Sequence, residues 1–171
     1  MRILYALTIL LLAPLAARAQ APALHGIQFV NPGIYRASTV EQHVVPDSVL
    51  GRQHTVANVM LEKKTTDIPG IVGVRFGFYF VVVGQPAGQI VKLRLVIRFP
   101  PAGLTDPETK LTHPAERTNI FAWTNELQYQ EYLFEEWWEV VPGIWNFELW
   151  QGDHKLGEQS FKVFLPGTVM R

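Results

Sequence analysis

Residues 91–99 read V-K-L-R-L-V-I-R-F and give the clearest indication of the fold class. Every second side chain from Val91 to Phe99 is apolar, and three of the four between them are basic. Because side chains alternate between the two faces of a β-strand, this spacing predicts a strand with one buried and one wet face. The same period places six further side chains on one face of a longer strand: Val72, Val74, Phe76, Phe78, Phe80 and Val82. We expect the two strands to form a hairpin across residues 84–88, which begin and end with glycine.

A second hairpin is predicted from residues 144–151 and 155–164. Gly152 and Asp153 lie between the strands, and glycine at the first position of a two-residue turn is typical of a type II′ hairpin. Leu156 and Phe161 have opposite parity, so a regular strand cannot bury both. We therefore predict a β-bulge near Gly157 that turns both side chains inward.

Four weaker strand candidates are residues 26–36, 53–63, 118–127 and 133–140. Residues 127–138 also fit a helical spacing, but we favour extended structure because aromatic residues are common in sheets. The sequence therefore predicts an all-β chain of about seven to eight strands in a single antiparallel β-sandwich.

Residues 100–119 contain four prolines and show no clear period. A loop of that length in a compact domain is either functional or hides a missed element. Our interpretation is a crossover between the two sheets that covers a sheet edge.

The composition excludes several classes of protein. A length of 171 residues fits one domain, and an apolar fraction of 48% excludes a disordered polymer. Fifteen basic residues balance fifteen acidic ones, which excludes a broadly basic nucleic-acid binder. The absence of cysteine excludes disulfides, thiol nucleophiles and cysteine-ligated zinc.

The first 19 residues are predicted to be a signal peptide. Arg2 is followed by an apolar run, and Ala17 and Ala19 are the small residues that a signal peptidase recognises. A run of about 13 apolar residues is too short to cross a membrane, which needs roughly 20. We expect cleavage between Ala19 and Gln20, and residues 20–171 to form a periplasmic or secreted domain without a membrane span.

The C-terminal hairpin carries a family resemblance. Residues 142–150 read P-G-I-W-N-F-E-L-W, and residues 160–163 read S-F-K-V. This pattern resembles the last hairpin of bacterial immunoglobulin-like sandwiches. Together with residues 26–36, it makes the chain similar to an uncharacterised bacterial domain-of-unknown-function family with that fold. The resemblance implies an immunoglobulin-like β-sandwich in an exported bacterial protein, and it supplies no catalytic residues.

Motifs for metal or cofactor binding are not found in the sequence. The five histidines lack the i,i+4 and H-E-x-x-H spacings, and His113 with Glu116 would need a third ligand from elsewhere. There is no G-x-S-x-G motif and no glycine-rich phosphate loop. We expect no metal and no cofactor.

Carboxylates are concentrated in residues 126–139, where no lysine or arginine occurs: Glu126, Glu131, Glu135, Glu136 and Glu139. Paired acids in a cleft can hydrolyse glycosides, so a hydrolase is one hypothesis. The favoured interpretation is the outer face of a strand whose acids pair with Lys92, Arg94 and Arg98 on a neighbouring strand. Alternatively, the two stripes are oppositely charged patches for a partner.

Four of the five tryptophans lie within residues 137–150. Trp145 shares its parity with Phe147 and Leu149 and is expected in the core. Trp137 and Trp138 are adjacent and cannot both point inward from a regular strand, and Trp150 falls on the face opposite Trp145. The candidate binding residues are therefore Trp137, Trp138 and Trp150, against the alternative of an aromatic cluster that only stabilises the sheet.

Two non-enzymatic functions are favoured over the hydrolase. The leading hypothesis is a non-enzymatic module that binds a protein or a cell-envelope component, through these tryptophans or by strand addition at a sheet edge. The alternative is a carbohydrate-binding module, which requires Trp138 and Trp150 to lie coplanar on one exposed face and bind polysaccharide. Nucleic acid is not an expected partner.

Overall fold

The computed structural model of the chain describes residues 22–45, 48–49 and 51–167. The predicted signal peptide lies outside the described residues. The regular elements within them are β1 (Ala23–Val44), β2 (Arg52–Lys64), β3 (Asp67–Pro69), β4 (Arg75–Gln85), β5 (Ile90–Arg98), β6 (Leu104–Thr105), β7 (Thr112–His113), β8 (Ala115–Trp123), β9 (Leu127–Leu133), a 3-10 turn (Trp137–Glu139), β10 (Gly143–Gln151) and β11 (His154–Phe164). None of the helical residues among them forms a segment long and apolar enough to cross a membrane.

Two sheets face each other across one core. The first has the strand order β2-β1-β4-β9 and the second β3-β11-β10-β5-β8, while β6 and β7 form a small separate hairpin. Neighbours are antiparallel except for β3, which pairs in parallel with β11. Within the described residues, eight strands have seven residues or more, so the predicted sandwich of seven to eight strands is confirmed.

Aromatic side chains from both sheets meet at the centre of the core. The Phe76 ring of β4 lies 5.9 Å from the rings of Trp145 and Phe147 on β10 and 5.2 Å from that of Phe161 on β11. All four side chains are buried, as their parity predicted. The Trp145 indole donates to the Val141 carbonyl at 2.9 Å, which satisfies the one polar atom that this packing buries.

The β10–β11 hairpin and its bulge are confirmed. Leu149 pairs with Gly157, but Trp150 pairs with Lys155, so Leu156 is the extra residue and turns inward. A Cβ at position 157 would lie 3.1 Å from side-chain atoms of both Ile27 and Phe29 on β1. Glycine at this position lets the opposite sheet approach the bulge closely.

The predicted hairpin between the strands around residues 72–82 and 91–99 is wrong. β4 pairs with β1 and β9, whereas β5 pairs with β10 and β8, so the connection crosses from one sheet to the other. Each strand has one apolar face, and the two faces pack against each other across the core. The strand also begins at Arg75, which leaves Val72 exposed before it.

The predicted strand at residues 133–140 is also wrong. The strand β9 ends at Leu133, and the chain then forms the 3-10 turn. Its cause is the buried Glu139, whose carboxylate accepts hydrogen bonds from the backbone N–H groups of Glu135 at 2.7 Å and Glu136 at 2.6 Å. It also accepts one from the Tyr132 hydroxyl at 2.5 Å. These bonds replace those that a neighbouring strand would supply.

Two other boundaries differ from the prediction. The segment at residues 100–119 is not one irregular loop, because it contains the β6–β7 hairpin and the first residues of β8. The first strand is twice as long as predicted: β1 pairs with β4 through its first half and with β2 through its second. Pairing with this second half places β2 beside β8 and β9, which are edge strands of the two sheets.

Candidate functional site

The outer face of the second sheet is rich in cations. The inward residues of β5 and β10 are apolar, so the outward positions carry the charge, and β8 and β11 extend the same surface. We call this surface the basic face and define it by Lys92, Arg94, Arg98, Arg117 and Lys155. Strand register places Lys155, Trp150, Arg94 and Asn119 side by side across four strands.

Trp150 holds two of these cations in place. The Arg94 guanidinium lies 5.7 Å from the centre of its ring and the Lys155 ammonium 5.9 Å. Arg94 also donates to the Gly152 carbonyl at 2.9 Å, and the Trp150 indole donates to Glu148 at 3.0 Å. Cation–π contacts and these hydrogen bonds together restrict the long basic side chains to few rotamers.

Two carboxylates on β10 and β11 point to this face, and both are paired. Glu148 accepts from Arg98 at 2.8 Å, and Glu158 lies 2.5 Å from the Lys155 ammonium. Burial opposes the ionisation of Glu148, but hydrogen bonds from Arg98 and Trp150 and the nearby positive charges outweigh it, so its pKa lies below the usual value. Among the described residues, no carboxylate lies within ion-pair distance of Lys92, Arg94 or Arg117.

Exposed aromatic side chains border these cations. Phe121 is 67% exposed and pairs in register with Lys92, and Trp123 is 43% exposed and pairs with Ile90. Neither ring was predicted from the sequence as a candidate. Their parity was a usable signal, because they alternate with Ile120 and the buried Ala122 along the edge strand β8.

Trp137 and Trp138 lie together on a different surface. Trp137 is 71% exposed, and Trp138 is half-buried against the core. Both line a cleft of about 370 Å³ with Arg52 and the Asp106–Glu108 segment. Val140, two residues after Trp138, lies beside Gly70, whose N–H donates to the Phe164 carbonyl near the start of β10. Trp150 lies seven residues beyond that start, about 23 Å along the strand. The three candidate tryptophans therefore do not form one surface.

The glutamates of residues 126–139 do not pair with Lys92, Arg94 and Arg98, contrary to the favoured interpretation. β9 lies in the first sheet and β5 in the second, so the two stripes never become neighbours. Glu131 instead forms a buried ion pair with Arg75 of β4. Glu135 accepts from Arg52 at 3.2 Å and faces His54 at 2.9 Å, both on β2.

A cavity of about 200 Å³ lies behind these pairs, between β2, β5, β8 and β9. Arg52, Gln53 and His54 cover it, and Gln53 donates to Thr118 of β8 at 3.0 Å. Glu116 also lines the cavity, and burial raises the pKa of its carboxyl group. His113 and Glu116 do not gain a third ligand, because no group of three metal-ligating side chains is found within the described ranges.

The chain is similar in sequence and in structure to known proteins. Residues 25–163 match the model of a family described as a domain of unknown function, DUF3859. The chain belongs to that family. The DUF3859 chain is also similar to a solved immunoglobulin-like protein from Pseudomonas aeruginosa, with 25% identity and a TM-score of 0.56 over 86% of this chain and 100% of the other. No curated protein matches it.

The comparisons confirm the predicted kind of family, a domain of unknown function with an immunoglobulin-like fold. This DUF3859 domain has an immunoglobulin-like β-sandwich fold. Such sandwiches carry many unrelated functions, so the function of this chain has to be inferred from its own surface.

Proposed function

We propose that this DUF3859 domain is an exported, non-enzymatic module that binds a protein or another cell-envelope component through its basic face. One observation carries the proposal: a chain with equal numbers of acidic and basic residues concentrates cations and aromatic rings on one open sheet face. Export is inferred from residues 1–19, whose pattern is that of a signal peptide.

The residue types on this face are those that dominate binding energy at interfaces. Tryptophan and arginine are enriched among interface residues whose truncation costs the most affinity. Here Arg94 and Trp150 lie at the centre of the face, and Phe121 and Trp123 lie at its edge. Positive charge next to them would accelerate association with an acidic partner.

The test is photo-crosslinking in the host cell. A photoreactive phenylalanine replaces Phe121 in the tagged full-length chain, and a second variant carries it at Met60, which is 62% exposed on the first sheet. We expect specific adducts from position 121 that disappear when Arg94→Gln is added. Equal adducts from both positions, or adducts that survive Arg94→Gln, would contradict the proposal.

Cell fractionation of the same strain tests the export component. The tagged chain should appear outside the cytoplasm, and it should remain in the cytoplasm when residues 2–19 are deleted. Equal distribution of the two forms would show that residues 1–19 do not direct export.

A second candidate site is the surface around Trp137. Its single favouring observation is the exposure of Trp137 beside the cleft that Trp138 and Arg52 line. The crosslinker at position 137 tests it in the same cells, with Met60 again as the control position.

A further inference from the structure

We infer that the basic face binds a linear acidic polysaccharide, a polymer of uronic acid type, along β5 and β8. The inference rests on the proposed function and names the chemistry of the partner. It is carried by the exposed rings of β8, which lie beside the unpaired cations of β5.

The strand register sets the order of the contact groups. Phe121 and Trp123 are two residues apart on β8, so their side chains project from the same face about 6.7 Å apart. Lys92 lies opposite Phe121, and Arg94 lies opposite Asn119, one step further along. Rings and cations thus form two adjacent rows that run in the strand direction.

The cations of these rows are available to a ligand. Lys92, Arg94 and Arg117 have no ion-pair partner among the described residues, whereas Arg98 and Lys155 are engaged with Glu148 and Glu158. Arg94 is moreover fixed by the Trp150 ring and the Gly152 carbonyl, so little side-chain entropy remains to be lost on binding. Trp150 is therefore a positioning residue for Arg94 and does not itself stack on the ligand.

An acidic sugar polymer presents the complementary features. Each unit offers one flat ring face with C–H groups, which can pack on an aromatic ring, and one carboxylate, which can bind lysine or arginine. The surface is the open side of a sheet, where rings can stack along a chain. An acidic protein would instead be expected to insert anchoring side chains into pockets. Single-stranded nucleic acid offers rings and charges as well, but the balanced composition and the predicted export favour the polysaccharide.

The closing experiment measures affinity for four defined probes at physiological salt. These are polygalacturonate, neutral dextran, poly-glutamate and oligothymidylate. We expect the purified domain to bind polygalacturonate and not dextran, and to bind the other two polyanions at least tenfold more weakly. Arg94→Gln and Phe121→Ala should each weaken polygalacturonate binding roughly tenfold, because one removes a charge contact and the other a stacking contact.

Matched controls separate the face from general charge and apolar content. Lys63→Gln removes an exposed cation from the first sheet, and Met60→Ala removes an exposed apolar side chain from the same sheet; both should leave the affinity unchanged. Thermal unfolding of every variant checks the fold. We expect it to be intact, because all these side chains except that of Arg94 are largely exposed.

Each remaining outcome overturns the inference. Equal binding of poly-glutamate or oligothymidylate, or an affinity insensitive to Phe121→Ala, would show simple attraction between charges. If polygalacturonate does not bind but position 121 still crosslinks to a protein, the polysaccharide inference is overturned and the proposed function stands. If polygalacturonate does not bind and position 121 gives no crosslinks, the inference and the proposed function are both overturned.

Discussion

Arginine meets glutamate in two contrasting places in this molecule. Within the first sheet, Arg75 and Glu131 are 8% and 14% exposed, and the pair joins β4 to β9. On the basic face, Arg98 is 47% exposed and reaches over Glu148, which is 7% exposed. The residue types are identical. On the basic face water can reach one partner of the pair and take the place of the other, whereas in the interior it reaches neither.

Burial decides what an ion pair does in this fold. An interior charge that loses its partner has no solvent to take its place, so the pair fastens two strands. A half-exposed arginine can exchange its contact with a glutamate for one with water or a ligand at little cost. Four substitutions test this contrast.

The largest effect is expected from Arg75→Met. Glu131 would remain as a buried carboxylate without its cation, and we expect a loss of about 3–5 kcal/mol in the free energy of unfolding. Chemical denaturation followed by tryptophan fluorescence measures it. The double variant Arg75→Met/Glu131→Leu should recover most of the loss, and a single-variant loss below about 1 kcal/mol would contradict the interior role.

Glu139→Ala tests the second interior carboxylate. The substitution leaves two backbone N–H groups and the Tyr132 hydroxyl without their acceptor, and we expect a loss of about 2–3 kcal/mol. Glu136→Gln is the control on the same turn, because that side chain is partly exposed, lies 3.6 Å from Arg52, and as glutamine keeps an oxygen that can accept from the Glu139 backbone N–H. Losses of similar size in both variants would argue against the capping role of Glu139.

A smaller effect is expected from Arg98→Ala on the basic face. The loss should be about 1 kcal/mol at neutral pH, because Arg98 is half-exposed and Glu148 keeps its bond from Trp150. The folded-state pKa of Glu148 lies below its usual value of 4.5, so the ionised form is stabilised by folding. That stability is present above the unfolded pKa and is lost as pH falls through the folded pKa, so wild type and variant should converge in acid.

The smallest effect, with the opposite dependence on pH, is expected from Glu116→Gln. Burial raises the folded-state pKa of Glu116, so the protonated form is favoured by folding. Its contribution is fully present below the unfolded pKa and is lost as pH rises through the folded pKa. Relative to wild type, the glutamine variant should therefore be more stable at pH 7 than at pH 4, by denaturation at both values. The reverse order would contradict the assigned environment.

Alternation of side chains made part of the fold predictable from the sequence. The strands β5 and β10 follow a period of two, and the parity conflict between Leu156 and Phe161 on β11 located the bulge. Period shows which face of a strand is buried but not which sheet the strand joins, so the predicted β4–β5 hairpin was wrong. The turn at Trp137–Glu139 depends on hydrogen bonds that one buried carboxylate makes, and alternation carries no sign of them.

The candidate site was predictable to a similar extent. The basic stripe of β5 and the outward direction of Trp150 follow from parity, and the structure brings them together through the β5–β10 register. Phe121 and Trp123 needed the pairing of β5 with β8, which no short-range pattern contains. The ionic partners of Glu131 and Glu135 lie 56 and 81–83 positions away in sequence, so only the folded chain reveals them.

The division of β1 between two partners has a consequence for local opening. Its first half pairs with β4. Its second half forms an arm with β2, and this arm contacts the rest of the sandwich largely through Arg52, Gln53 and His54. Breaking those polar contacts would release the arm without exposing the aromatic core. Amide hydrogens of β2 should therefore exchange with deuterium through a partial opening, well before those of β4, whose exchange requires the whole domain to unfold.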